Sequence, residues 1–506
     1  MCPRFIYSLD EQEPGRLGMS GETRIAAGST AKIGVVAGAL IVGEDATVLA
    51  EDGVKVAVNG VVECQGDCVF QCSLEAYRLE GSDGRVRVEG DLTAKDRVEV
   101  EDGSLEVSGS IHARAIEVDR ELRVSKDLTA DDVDVGARLE VGGTSKAGNI
   151  DVGATYTARG PVEAESIDVG GSFEASAPVK LATIDVGGSV RIHGGEVTQS
   201  INVGGSFEST APLRFNSIDV GGTIRLSPGS IGQDIDVGGT LRAEGELRFR
   251  KIDVGGTVTL GAGSSGDDID VGGTLRTEGD LKFRRIDVGG TVDIAGTGEG
   301  EGVEVGGSLK AGGDLRLTGK LNVGGAVRAA KEVAAEQVDV GGSVEAEMVT
   351  ARNDVSVGGL IATQRGARAR RIELGRRGEA RGPLIAEEVH VGEEARVEDI
   401  YAQRLTMEEE ARARNLYVGK ASIESDCKIM GETQYLEALE TERNVFFAKL
   451  PVKVEKLPEP PIAVTPTAGP EQAPTPAPAE AVYCPSCGAK TTREANFCSN
   501  CGTRLR

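Results

Sequence analysis

Four cysteines near the C-terminal end carry the most specific chemistry in this sequence. Cys484 and Cys487 form one CxxC, Cys498 and Cys501 a second, and a glycine follows each pair, Gly488 and Gly502. Two such thiolate hairpins offer four sulfurs to a tetrahedral Zn2+, and the glycines permit the tight knuckle turn. Four cysteine ligands leave no position for a reactive water, so the expected zinc is structural. So short a segment cannot bury a sufficient core, and metal supplies its fold. Lys490, Arg493, Arg504 and Arg506 make it locally basic.

The other reactive side chains form no such pattern. Cys64, Cys68 and Cys72 have no second cluster and no histidine nearby, which reads as buried or half-buried free thiols. The three histidines, His112, His193 and His390, lack an evident acid or nucleophile partner. No catalytic or cofactor-binding residue is therefore assigned, and an enzyme is not expected. The rival reading is a hexapeptide-repeat acyltransferase or another β-helix enzyme, which needs a catalytic histidine at a subunit cleft. The recurrent Gly-Gly pairs do not make a phosphate cradle, because no helix follows them. A formal net charge of −25 repels phosphates, so nucleic acid is not an expected partner.

What positions these groups is a repeat. IDVGGTLRAEGELRFRK (235–251) is followed by IDVGGTVTLGAGSSGDD (252–268), and the openings lie 17 residues apart. The phase runs from Val133 to Val389 in 17-residue steps, except for an 18-residue step into Leu321. A strict short period signals a solenoid. Within the unit, Ile235, Val237, Leu241, Ala243, Leu247 and Phe249 form three period-2 alternations, and hence three short strands. The expected fold is all-β: a long right-handed three-faced parallel β-helix of about 17 residues per coil, with a small C-terminal zinc ribbon. With aromatics at 3% and no tryptophan, a thin coil suits the composition better than a broad globular core.

Several details follow from the ruler. Gly238-Gly239 and its equivalents fall at a corner, where positive φ is expected. Apolar pairs are missing from the third strand of alternate units, at Ser264-Ser265-Gly266 and Gly298-Glu299-Gly300, so one face is expected to be thin and locally open. Unit position 2 is acidic from Asp151 to Asp339 in most coils, forming a carboxylate ladder. This reads as a solvated face, with recruitment of divalent cations or a basic partner as the alternative. Arg225, Arg242, Arg276 and Arg328 occupy an adjacent face and offer a side-by-side contact between rods.

The expected organisation is a tail (1–20), the β-helix (21–430, regular from about 98), a cap (431–450), a Pro/Ala-rich linker (451–482) and the ribbon (483–506). Beyond Val389 the steps shorten to Leu405 and Leu416, so the coils are expected to end there. The cap is read as a short helix or a last strand. The tail reads as a frayed terminus, with Phe5, Ile6, Tyr7 and Leu9 as an alternative apolar contact for a membrane or a partner. No signal peptide or membrane-spanning run is evident, and the expected compartment is the cytoplasm, with membrane association through the tail.

The coil body, in IDVGGSFEASAPVKLAT (167–183), IDVGGTIRLSPGSIGQD (218–234) and LNVGGAVRAAKEVAAEQ (321–337), resembles the bactofilins. These are polymer-forming cytoskeletal proteins built on a right-handed three-faced β-helix. The resemblance implies end-to-end self-association into filaments without a nucleotide, often at a membrane. The tail resembles the zinc ribbons that bacteria and archaea append to many proteins, where the usual role is interaction. Together they imply a non-enzymatic scaffold whose ribbon recruits a protein partner.

Overall fold

Strands this short cannot bury themselves, so each must stack on its equivalent in the next turn. The structure, a computed structural model, describes residues 21–460 and the strands Val482–Tyr483 and Lys490–Thr491. The chain divides into two units, Met1–Pro458 and Glu459–Arg506. In the first, a 61-stranded parallel sheet winds into a β-solenoid of about 25 turns with about 17 residues per turn. At ~4.8 Å between stacked strands, that unit extends about 120 Å.

One turn shows the construction. Its strands are Asp234–Val237, Thr240–Ala243 and Leu247–Arg248, one on each face. Ile235, Val237, Leu241, Ala243, Leu247 and Phe249 all point inward and are buried. Ile218, Ile235 and Ile252 stack in register. Burying one such aliphatic side chain is worth roughly 1.5–3 kcal/mol, so each turn is held chiefly by this inner column.

The paired glycines at the first corner do not take the expected positive φ. They are required by proximity instead. The Gly238 N–H donates to the Val220 carbonyl at 3.0 Å, and a Cβ on Gly238 would stand 2.5 Å from the Gly221 carbonyl oxygen. Backbone rests on backbone there, and a side chain has no room.

The third face is closed, contrary to the expectation of a thin one. Phe215, Phe249 and Phe283 are buried in alternate turns, and each ring covers the glycine one turn on, Gly232, Gly266 and Gly300. Ser264 takes the inward place beside them; its hydroxyl accepts from Leu247 N–H at 3.2 Å and donates to the Gly261 carbonyl at 2.7 Å. The 34-residue alternation is thus a packing device in which one large ring fills the space of two side chains.

The coils also continue past Val389. Leu405 pairs with Val389 on one side and Ala421 on the other, while Leu416 lies on the third face against Ile400. Turns here are 16 residues long, and the small Ala421 conceals the phase. The expected cap is formed by the strands Thr433–Thr441 and Phe446–Phe447, with no helix, and Val452–Lys453 adds a strand where the linker was expected to begin. Near the other end, long steps from Ile41 to Glu63 and from Glu80 to Glu99 account for the looser register. The tail 1–20 and residues 461–481 lie outside the described residues.

Candidate interaction surfaces and metal centre

Because strand residues alternate in and out, each face carries one outward column, and register decides what stands in it. On the first face the acidic column runs from Glu63 through Glu80, Glu99, Glu117 and Asp134 into the Asp151–Asp339 series, ending at Glu373. Its non-acidic rungs are Asn202, Asn322 and Ser356. The ladder is longer than the 17-residue phase reveals, since the steps below Asp134 vary. Burial, and then the carboxylates above and below, push Asp168, Asp236 and Asp270 upward from the usual aspartate value.

The second face is partly neutralised from within. Its outward column mixes both signs, and stacked neighbours pair at Arg123–Glu140 (3.1 Å), Arg191–Glu208 (3.2 Å), Arg276–Asp293 (3.9 Å) and Arg328–Glu345 (3.4 Å). Arg225 reaches Glu208 at 4.0 Å and Glu244 at 3.7 Å. Three of the four arginines read from the sequence as a contact between rods are therefore engaged inside one chain. The third face repeats the device with Lys146 and Lys180 on Glu163, and Lys282 and Arg316 on Glu299. Exposed pairs like these add little stability, but they offset part of the charge on two faces out of three.

A basic cluster not singled out from the sequence lies further along. Residues 365–381 hold seven arginines against two glutamates, legible in the run RGARARRIELGRRGEAR. Arg376 and Arg377 are paired with Glu393 and Glu394 of the next turn.

The remaining titratable groups are dispersed. Cys64, Cys68 and Cys72 are buried free thiols in the core. Hydrogen bonding with Cys68, together with burial, holds the Cys64 thiol well above its usual range. His193 Nδ1 lies 3.3 Å from Thr210 Oγ1, and His390 Nε2 lies 3.1 Å from Glu408 Oε1. His112 stands on the third face between Thr93 and Thr129. Among the described residues no group of three or more His, Cys, Asp or Glu side chains is placed to hold a metal ion. No described helix is long and apolar enough to cross a membrane.

Cys484, Cys487, Cys498 and Cys501 lie outside the described residues. The strands on either side of the first pair are described: Val482–Tyr483 runs antiparallel to Lys490–Thr491, with Tyr483 opposite Lys490. Such a hairpin brings together the two ends of the segment carrying Cys484 and Cys487, as a zinc knuckle requires. Four thiolates in two CxxC pairs suit the soft, tetrahedral preference of Zn2+, whose binding would supply folding energy to this unit.

Residues 480–505 match the zinc-ribbon domain family, which indicates zinc binding. No match to the chain was found among curated proteins or among solved structures. The chain is a long parallel β-solenoid with a C-terminal zinc-ribbon domain.

Proposed function

We propose that this protein is a non-enzymatic structural rod of bactofilin-like character. It self-assembles into filaments or a scaffold without a nucleotide, and its zinc ribbon recruits a protein partner. The observation that carries this reading is the state of the terminal strands. Among the described residues, Thr23–Ile25 pairs on one side, with Leu40–Val42, and Ala438–Thr441 pairs on one side, with the strand beneath. An open strand edge is a template for another strand. Apolar side chains accompany it at the C-terminal end, where Phe446 is 51% exposed and Leu450 86%. The cytoplasm is the proposed site of action, with Phe5, Ile6, Tyr7 and Leu9 as the contact to a membrane.

Electron microscopy of the full chain and of a form ending at residue 460 tests the proposal. Filaments or ordered arrays from both forms are expected, since the solenoid holds the open edges. Single rods from both, under every salt and divalent-ion condition, would count decisively against self-assembly.

A further inference from the structure

The distribution of charge around the solenoid is unequal in a way that the partly neutralised faces make visible. Arg352, Arg365, Arg368, Arg370 and Arg371 form no ion pair among the described residues, although the chain carries 81 carboxylates. Arg371 stands in register between Asp354 and Glu388, but Glu388 is taken by Arg404. Arg368 stands on the third face between Thr350 and Ile385, and its Nη1 is shielded from solvent with no acceptor. A shielded guanidinium donor without an acceptor is unfavourable, and an incoming carboxylate relieves it. Arg365 and Arg370 stand exposed at the two rims of the same face. The five make a basic saddle over the third face and its corner with the first, along one stretch of the rod.

The complementary surface is present on the same molecule. The first-face ladder offers carboxylates at the strand spacing of ~4.8 Å, without internal cations along most of its length. We propose that the saddle formed by these five arginines receives the carboxylate ladder of a second copy of this chain, so that rods associate side by side with a stagger. The inference rests on the self-assembly reading and specifies a lateral contact for it. The two surfaces differ, so the contact is heterologous: each copy uses its saddle on one neighbour and its ladder on another, and the array stays open. A stagger follows because the saddle lies near residues 352–371 and the centre of the ladder near Asp219. Charge complementarity favours this occupant, since the outward columns of the other two faces mix both signs and many of their charges are paired within the chain, whereas the ladder is acidic along most of its length.

Sedimentation velocity of the full chain at about 20 mM and about 500 mM salt reads the contact, because exposed charges are screened at the higher value. Wild type is expected to associate at low salt and to dissociate at least tenfold more readily at high salt. The surface variant R370E/R371E should lose this salt-dependent association, with an unchanged circular dichroism spectrum, and keep the end-to-end assembly of the open strand edges. Reversing the ladder with D219K/D236K/D253K should do the same, and mixing the two variants should restore association. A control, R225E/R242E on the second face, should associate as wild type does. Salt-dependent association that persists in R370E/R371E, or wild-type association that ignores salt altogether, overturns the saddle contact and leaves self-assembly standing. Single rods of wild type in all conditions overturn both.

Discussion

The ring of Phe249 occupies the space that a side chain on Gly266, one turn further along, would need. The two residues are one packing unit, and Phe215 with Gly232 and Phe283 with Gly300 repeat it. Bulk is exchanged between turns, so neither residue can change alone.

Phe249→Ala is expected to cost about 3–5 kcal/mol, because it empties two rungs of core at once. Gly266→Leu should also destabilise, by collision with the ring. The double variant, which moves the bulk by one turn, should recover a large part of the loss. Urea unfolding of the three variants checks this, and strict additivity of the two single effects would sink the shared-space account.

Gly238→Ala should cost about 1–3 kcal/mol, since its methyl group meets the Gly221 carbonyl and must push two turns apart. Gly263 makes the contrast: a Cβ there meets nothing within 4 Å, but its φ is +80°. Gly263→Ala should therefore cost about 1–2 kcal/mol through backbone strain alone. Hydrogen exchange separates the cases, because only the first should loosen the amides of the adjoining turn.

Glu410 has a φ of 58°, in the left-handed region, at a corner of the later turns. Glu410→Gly is expected to raise stability by about 0.5–1 kcal/mol by removing that strain. A fall in the unfolding midpoint would show that the Glu410 side chain contributes more than its backbone costs.

The ladder sets a pH dependence. Asp168, Asp236 and Asp270 are raised in the folded chain, by burial first and by their neighbours next, so they bind protons more readily folded than unfolded. Their contribution to stability therefore increases as pH falls through the raised values toward the ordinary 3.8. Asp96, lowered by Arg114 and Arg78, and Glu394, lowered by Arg377, act in the opposite sense, and their stability is lost as pH falls further. The thermal midpoint should thus peak on the acidic side of neutrality. Asp236→Asn should raise the midpoint at pH 7 and flatten the rise below it; an unchanged profile would argue against repulsion along the ladder.

Removal of metal should affect one unit. The full chain is expected to hold about one zinc, and Cys484→Ser or Cys498→Ser should abolish that stoichiometry. The β-signal of residues 21–460 should survive chelation, since the inner column alone holds those turns. Zinc content by elemental analysis, with circular dichroism before and after chelator, decides both points.

Much of this protein was determined by sequence alone. The 17-residue phase, the inward set Ile235, Val237, Leu241, Ala243, Leu247 and Phe249, and the two CxxC pairs are legible because each depends on local spacing. A period-2 strand and a thiolate hairpin carry their own geometry. What depends on the neighbouring turn was not legible. Gly238 is needed because the backbone of Gly221 lies against it, and Gly266 because of a ring that begins 17 residues earlier. Ala421 continues a column that its small side chain conceals, and Glu63 joins the acidic ladder only through register across an irregular corner. Arg225, Arg276 and Arg328 of the second face are spent inside the chain, whereas Arg370 and Arg371 are not, because the partner of each charge is chosen by the turn stacked on it. Register between turns is a tertiary property, and it alone decided which surfaces remain available.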